Sequence, residues 1–370
     1  MFFAEDLFLK LKKNKINFFS GVPDSILKNF CSLLDFKKKN SFKHYISANE
    51  GTAVSNGIGY YLSTKKIPCI YLQNSGLSNA INPLISIAGD KVYSIPLFLL
   101  IGWRGSPNSK DEPQHMAKGK ITEKILKLLN ISYIKLKNEK DLKKIDALLK
   151  KAKKYKKIVA CLIEKNVIKQ KFSIIKKKEK NKFTRAVFLE KFLKFLPKTS
   201  KVISTTGYTS RELYQMRNKL KNNQGQDFYM VGGMGHASSV SFGFAISKSK
   251  KKVICLDGDG SLIMHLGGLL NIGVKKPKNL IHILLNNNSH ESVGGQNSNA
   301  NHINFKSLVK SLGYRKYYKI KETSKIISTI KSVLKNSGPI FLEVFISQGA
   351  IKNLGRPNNF KLIKERFIKQ

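Results

Sequence analysis

The sequence predicts an α/β fold of two domains, each a mostly parallel sheet flanked by helices. Three observations carry this. The length, 370 residues, suits two domains of ordinary size and is short for three. Short β-branched and apolar runs alternate with helical stretches in both halves. One such run, 253–257, leads through Gly258-Asp259-Gly260 into a segment with the apolar spacing of a helix.

Residues 1–165 form the first domain, with strand candidates at 43–47, 68–73 and 95–103. The run 43–46 enters Ser47-Ala48-Asn49-Glu50-Gly51-Thr52-Ala53, which starts a helix rich in small residues. Glu50 is thereby expected at a helix N-terminus beyond a strand's C-terminal end, where open α/β sheets hold ligands. Residues 166–184 are lysine-rich without a sustained period and read as a linker. The second domain, 185–370, has strand candidates at 201–205, 253–257, 280–285 and 340–346, then a C-terminal extension.

Within the second domain, Gly258 and Gly260 fall at a strand-to-helix turn, with the helix expected over 262–272. Glycine there lets backbone approach a phosphate closely, and a helix start offers unpaired N–H groups at the positive end of its dipole. Asp259 supplies the hard oxygen that magnesium prefers. Asn286-Asn287-Asn288 follows the strand candidate 280–285, and a crossover returns the chain so that the Asn287 amide oxygen completes the donor set. A lone Gly-Asp-Gly also serves ordinary turns, so its weight comes from the second half of the pair.

This pairing resembles the thiamine diphosphate signature. Gly21-Val22-Pro23-Asp24-Ser25, Gln73-Asn74-Ser75-Gly76-Leu77, Ile101-Gly102-Trp103-Arg104-Gly105 and Lys110-Asp111-Glu112-Pro113-Gln114-His115 extend the resemblance. So do Ser204-Thr205-Thr206-Gly207-Tyr208, Gly232-Gly233-Met234-Gly235-His236, His290-Glu291-Ser292 and Leu354-Gly355-Arg356-Pro357. Together they are similar to the phosphonopyruvate decarboxylase family, with sulfopyruvate decarboxylase the nearest relative in chemistry. The resemblance implies two thiamine diphosphate-binding-fold domains, pyrimidine-binding then diphosphate-binding, without a middle domain.

It also implies roles for individual residues. Glu50 would face the aminopyrimidine ring for proton exchange, and Asp24 and His115 would serve the proton steps; Asp24 reads equally as an Asx turn after Pro23. Thr206, Gly207, Gly258, Gly260, Ser261 and His290 would meet the diphosphate. Gly232 and Gly233 would offer backbone carbonyls to the pyrimidine, and Met234 would prop the cofactor, where the ordinary reading of a methionine is core filling. Mg²⁺ would be held by Asp259, Asn287 and the Ser289 carbonyl. Asn74, Arg104 and Lys110 would meet the substrate's carboxylate and its phosphonate or sulfonate, with Arg211 and Arg356 as lesser candidates. Arg104 reads otherwise as a structural ion pair or as stacked on Trp103. The sequence departs from the signature in Asn286, where an acidic residue is common, and in Asn288, where glycine is common; a positive φ is expected at Asn288.

The implied reaction is decarboxylation of 3-phosphonopyruvate to phosphonoacetaldehyde and CO₂, a step of phosphonate (2-aminoethylphosphonate) biosynthesis. Sulfopyruvate, giving sulfoacetaldehyde, is the alternative substrate. A homo-oligomer is implied, with active sites between chains.

A formal charge of +45 ordinarily points to nucleic acid or an anionic membrane. Only seven of the 68 basic residues are arginine, the preferred bidentate phosphate reader, and the lysines crowd helical faces and the linker. The expectation is a solvated basic surface without nucleic acid or membrane as partner. A non-catalytic basic binding protein on the same fold is the contrary reading, and joint retention of Glu50, Asp259 and Asn287 speaks against it. Cys31, Cys69, Cys161 and Cys255 show no metal spacing and read as buried reduced thiols. With no leader-like N-terminus and no apolar run of membrane length, a cytoplasmic protein is expected.

Overall fold

A computed structural model describes the chain except residues 38–40, 108, 172–182, 223–224, 249 and 370. Most of the expected linker therefore lies outside the described residues. The chain divides into two compact units. The first comprises Met1–Ile175 with Ser292–Gln296, and the second Lys176–Glu291 with Asn297–Gln370.

In chain order the first unit has α1 (Ala4–Lys13), β1 (Phe18–Gly21), α2 (Lys28–Phe36), β2 (Lys43–Ile46), α3 (Glu50–Thr64), β3 (Cys69–Gln73), α4 (Leu77–Ser86), β4 (Phe98–Gly102), α5 (Pro113–Leu128), β5 (Ser132–Leu136), α6 (Lys144–Tyr155) and β6 (Val159–Ile163). Its six-stranded sheet is parallel throughout, in the order β2-β1-β3-β4-β6-β5. Helices cover both faces, which is why the central strands are continuously apolar. Tyr71, Phe98 and Cys161 pack into one core cluster, while Ile70, Leu99 and Leu162 pack into the other.

The second unit has α7 (Arg185–Phe195), β7 (Lys201–Ser204), α8 (Tyr208–Lys219), β8 (Asp227–Tyr229), α9 (Ala237–Ser247), β9 (Val253–Gly258), α10 (Asp259–Met264), α11 (Leu269–Lys275), β10 (Leu280–Asn286), α12 (Phe305–Ser311), β11 (Lys316–Ile320), α13 (Ile326–Lys335), β12 (Ile340–Phe345) and α14 (Phe360–Lys369). Its parallel sheet runs β8-β7-β9-β10-β12-β11. Ile254, Ile283 and Leu342 face one cluster, and Val253, Leu284 and Phe341 the other.

The two sheets share one topology: the second strand pairs outside the first, and the third starts the opposite direction. Each sheet therefore has a switch point between its first and third strands, at the carboxyl ends of which a crevice opens. Each candidate strand of the sequence reading coincides with an observed one; β1, β5, β6, β8 and β11 were not anticipated. The helix expected over 262–272 is broken. It starts earlier, at Asp259, stops at Met264, and resumes at Leu269 after a 3₁₀ turn at Leu266–Gly268, where paired glycines weaken an α-helix. All four cysteines are buried and free. No helix among the described residues is long and apolar enough to cross a membrane.

Candidate active site

In the first unit, β2 ends at Ile46 and α3 begins at Glu50, capped by the Asn49 side chain, which accepts the Thr52 N–H at 2.9 Å. Glu50 is buried; its Oε2 accepts the Asn79 amide at 2.9 Å. Its other oxygen lies against the Cα of Gly76, where an added Cβ would stand 1.9 Å from Oε1. Burial raises the carboxyl above the usual carboxylate range, against the lowering pull of Asn79.

Asp24, after β1, is fully buried. Its Oδ2 accepts the backbone N–H groups of Ile26 and Leu27 at 3.1 Å each, and its Oδ1 accepts Gln73 Nε2. The Asx turn expected as one reading of Asp24 is formed. Asn74, after β3, is likewise spent internally. Its Oδ1 accepts the Arg104 N–H at 3.0 Å, and its Nδ2 donates to the Arg104 carbonyl and to Thr122 Oγ1, each at 2.9 Å. Asn74 thereby fixes the backbone at Arg104.

Arg104 also turns inward. Its Nε donates to Asp111 Oδ2 at 2.6 Å, its Nη2 donates to Asp111 Oδ1, and its Nη1 donates to Ser25 Oγ at 3.2 Å. The ion pair named as the alternative for Arg104 is formed, with its fork on the Asp111 carboxylate. Lys110 is exposed. His115 sits in the first turn of α5 with a buried Nδ1 that has no hydrogen-bond partner among the described residues. Burial, then the Arg104 charge, lowers it to about 4, so the imidazole is neutral at pH 7.

Sequence reasoning missed Lys118. One turn along α5 from His115, its Nζ donates to the Ser75 carbonyl at 3.2 Å, next to the Gly76 that seats Glu50. Its charge pulls the Glu50 carboxyl down and disfavours protonation of His115. The i,i+3 spacing of His115 and Lys118 was visible, but one lysine among so many gave no signal.

In the second unit, β7, β9 and β10 bring the candidates to one edge. Gly207 has φ +88° and precedes α8, whose first turn follows directly on the switch-point strand β7. Thr206 and Gly207 are half-buried there. Beside them, Thr205 Oγ1 and Ser261 Oγ are 2.7 Å apart, and Ser261 Oγ accepts the Gly235 N–H at 3.0 Å. That bond ties the loop carrying Gly232, Gly233 and half-buried Met234 to the Gly258–Gly260 turn.

Asp259 is 2 % exposed, and burial pushes its carboxyl up to about 6. Its Oδ2 accepts the Ser298 hydroxyl at 2.5 Å and the Ser289 N–H at 3.1 Å. The same Ser289 N–H lies 3.1 Å from Asn287 Oδ1, so carboxylate and amide oxygen converge on one point. Asn288 has φ +53°, as expected. His290 is buried over Gly260, where an added Cβ would stand 2.6 Å from its Nδ1. Nδ1 has no hydrogen-bond partner among the described residues, and burial lowers the imidazole to about 4.

Whether these residues fit a metal–diphosphate group is decided by the donors. Carboxylate, amide oxygen and backbone carbonyl form an all-oxygen set suited to a hard divalent cation. Asp259 is a desolvated carboxylate whose partners here are neutral donors, and cation binding would offset the burial that raises it. His290 Nδ1 is an orphaned buried atom beside the glycine turn. The residues fit.

The thiamine pyrophosphate enzyme N-terminal TPP binding domain matches residues 1–126, and the C-terminal TPP binding domain matches residues 205–344. The chain is 30% identical to the phosphonopyruvate decarboxylase of Streptomyces viridochromogenes over 372 residues, 96% of this chain and 91% of the relative. It is 30% identical to that of Streptomyces hygroscopicus, over 96% of this chain and 90% of the relative. To the sulfopyruvate decarboxylase of Methanosarcina acetivorans it is 26% identical, over 94% and 91%.

Proposed function

The chain belongs to the phosphonopyruvate decarboxylase family of thiamine pyrophosphate enzymes, and from that premise we propose that it converts 3-phosphonopyruvate to phosphonoacetaldehyde and CO₂. The observation that carries the substrate assignment is the 30% identity to phosphonopyruvate decarboxylases over nearly the whole chain, against 26% for a sulfopyruvate decarboxylase of similar coverage. The step would serve phosphonate biosynthesis.

Thiamine diphosphate, when bound, supplies the electron sink for the pair left behind as CO₂ departs. Glu50, raised by burial, holds the proton exchanged with the pyrimidine ring. Asp259, Asn287 and the Ser289 carbonyl hold Mg²⁺; Thr206, Gly207, Gly258, Gly260, Ser261 and His290 receive the diphosphate; Gly232, Gly233 and Met234 receive the pyrimidine. His115, neutral with a free Nδ1, moves the proton that replaces the lost carboxylate on the product carbon. Lys118 supplies the cation for the substrate's anionic end, while Arg104, Asn74 and Asp24 hold the surrounding loops in place. Lys110, being exposed, is assigned to the approach of the substrate. The active enzyme is a homo-oligomer with active sites between chains, and the buried free thiols support a reducing, cytoplasmic setting.

The test follows CO₂ and aldehyde release from phosphonopyruvate, sulfopyruvate and pyruvate, with and without thiamine diphosphate and Mg²⁺, for wild type and Glu50→Gln. Turnover of phosphonopyruvate is expected to require the cofactor and to fall at least 100-fold in the variant. Preference for sulfopyruvate would overturn the substrate assignment and keep the chemistry.

A further inference from the structure

We infer that Glu291 is a positioning residue that sets the orientation of the Asn287 amide and so creates the second oxygen of the metal site. The inference rests on the assignment of Asn287 as a metal ligand, and adds a residue to which no role had fallen.

An asparagine side chain presents an oxygen on one side and an NH₂ on the other, and only the oxygen ligates a cation. Which way it faces is therefore a functional variable. Here the Asn287 Nδ2 donates to Glu291 Oε2 at 3.0 Å, which forces Oδ1 toward the Ser289 N–H and the Asp259 carboxylate. A carboxylate is acceptor-only, so the reversed amide would set oxygen against oxygen.

Glu291 is itself held from two sides. Its Oε2 also accepts Arg185 Nη2 at 2.7 Å, and its Oε1 accepts the Gly349 N–H. Arg185 is 4 % exposed and donates in addition to Glu212 Oε2 at 3.2 Å, while Glu212 Oε1 accepts the Ile351 N–H at 2.9 Å. The start of α7 and the segment after β12 thus converge on one carboxylate four residues beyond the ligand, with Glu212 of α8 holding the arginine from its other side. Outer partners that orient ligands characteristically contribute 10–100-fold in metal affinity.

The experiment titrates Mn²⁺, as a spin-active stand-in for Mg²⁺, into the full-length apo-protein with thiamine diphosphate present, reading free Mn²⁺ by electron paramagnetic resonance. It needs neither substrate nor turnover. Wild type, Glu291→Gln and, as a ligand-loss control, Asn287→Ala are compared, with the apo melting temperature of each. Glu291→Gln keeps the shape but brings an NH₂ among donors, and a 10–100-fold weaker Mn²⁺ Kd at a melting temperature within a few degrees of wild type is expected. An unchanged Kd overturns the inference. Failure of wild type to bind Mn²⁺ at all would instead sink the metal-site reading on which it rests, so the two failures are distinct. Should Glu291→Gln not fold, Glu291→Asp takes its place: it keeps the charge for Arg185 but is one methylene short of Asn287. The same weakening is expected, and an unchanged Kd again overturns the inference.

Discussion

The Glu50 carboxylate owes its place to the absence of a side chain at Gly76. Gly76 has φ −87°, a conformation open to any residue, so replacing it with alanine imposes no backbone strain. The added Cβ, however, would occupy the position of Oε1, and the carboxylate must swing away from its bond to Asn79. Gly76→Ala should therefore lower turnover about 100-fold, the scale of a 1 Å misplacement of a reacting group, while thermal stability changes little. Steady-state kinetics beside a melting curve test this; unimpaired turnover would show that the carboxylate does not depend on this seat. At this scale, what the sequence made legible was whatever a local motif advertises. Glu50, Asp259 and Asn287 stand at strand ends, where chain order alone predicts their setting. The partners of Asn74 and Arg104 were not legible because they are tertiary. Nothing in the sequence says that the Asp111 carboxylate, seven residues on, takes up the guanidinium, or that a helix brings Thr122 to the Asn74 amide.

Most buried strands were legible and the edge strands β5, β8 and β11 were not, although the fully buried β1 and β6 were also missed and the partly exposed β2 was found. β3, β4, β9, β10 and β12 are largely apolar runs. β5 and β11 are sheet edges whose lysine and tyrosine residues blur the pattern, and β8 has three residues. That short edge strand nonetheless anchors the helix following Gly207. Arg217 on α8 pairs with Asp227 on β8 through Nε at 2.8 Å and Nη2 at 2.9 Å, and Tyr229 donates its hydroxyl to the same carboxylate at 2.9 Å. Both charged groups are almost fully buried. Removing one member strands the other in a low-dielectric setting, which costs about 3–5 kcal/mol, whereas the intact pair contributes far less relative to an apolar pair. Arg217→Met is expected to lower the second unit's unfolding free energy by that amount in urea denaturation. A loss under about 1 kcal/mol would show the Asp227 carboxylate to be solvated or otherwise paired.

At the scale of the chain, the duplicated sheet order was invisible in the sequence, because strand order is a property of crossovers and not of composition. The charge, by contrast, is legible and calls for a physical consequence. With +45 formal charges and lysines largely on exposed helix positions, the protein sits in its own positive field. A phosphonate dianion joined to a carboxylate carries about three negative charges at pH 8, so long-range attraction raises its encounter rate. That attraction decays over a Debye length of about 10 Å at 0.1 M salt and about 3 Å at 1 M. Chemistry after binding takes place among buried groups and is screened far less. Raising NaCl from about 20 mM to about 300 mM should therefore lower kcat/KM for phosphonopyruvate roughly 10-fold while kcat stays within about twofold. Pyruvate, with a single charge, provides the internal control: its kcat/KM should fall much less steeply over the same range. Equal slopes for the two substrates would show that salt acts on the protein's structure or assembly and that the lysine surface does not steer the substrate.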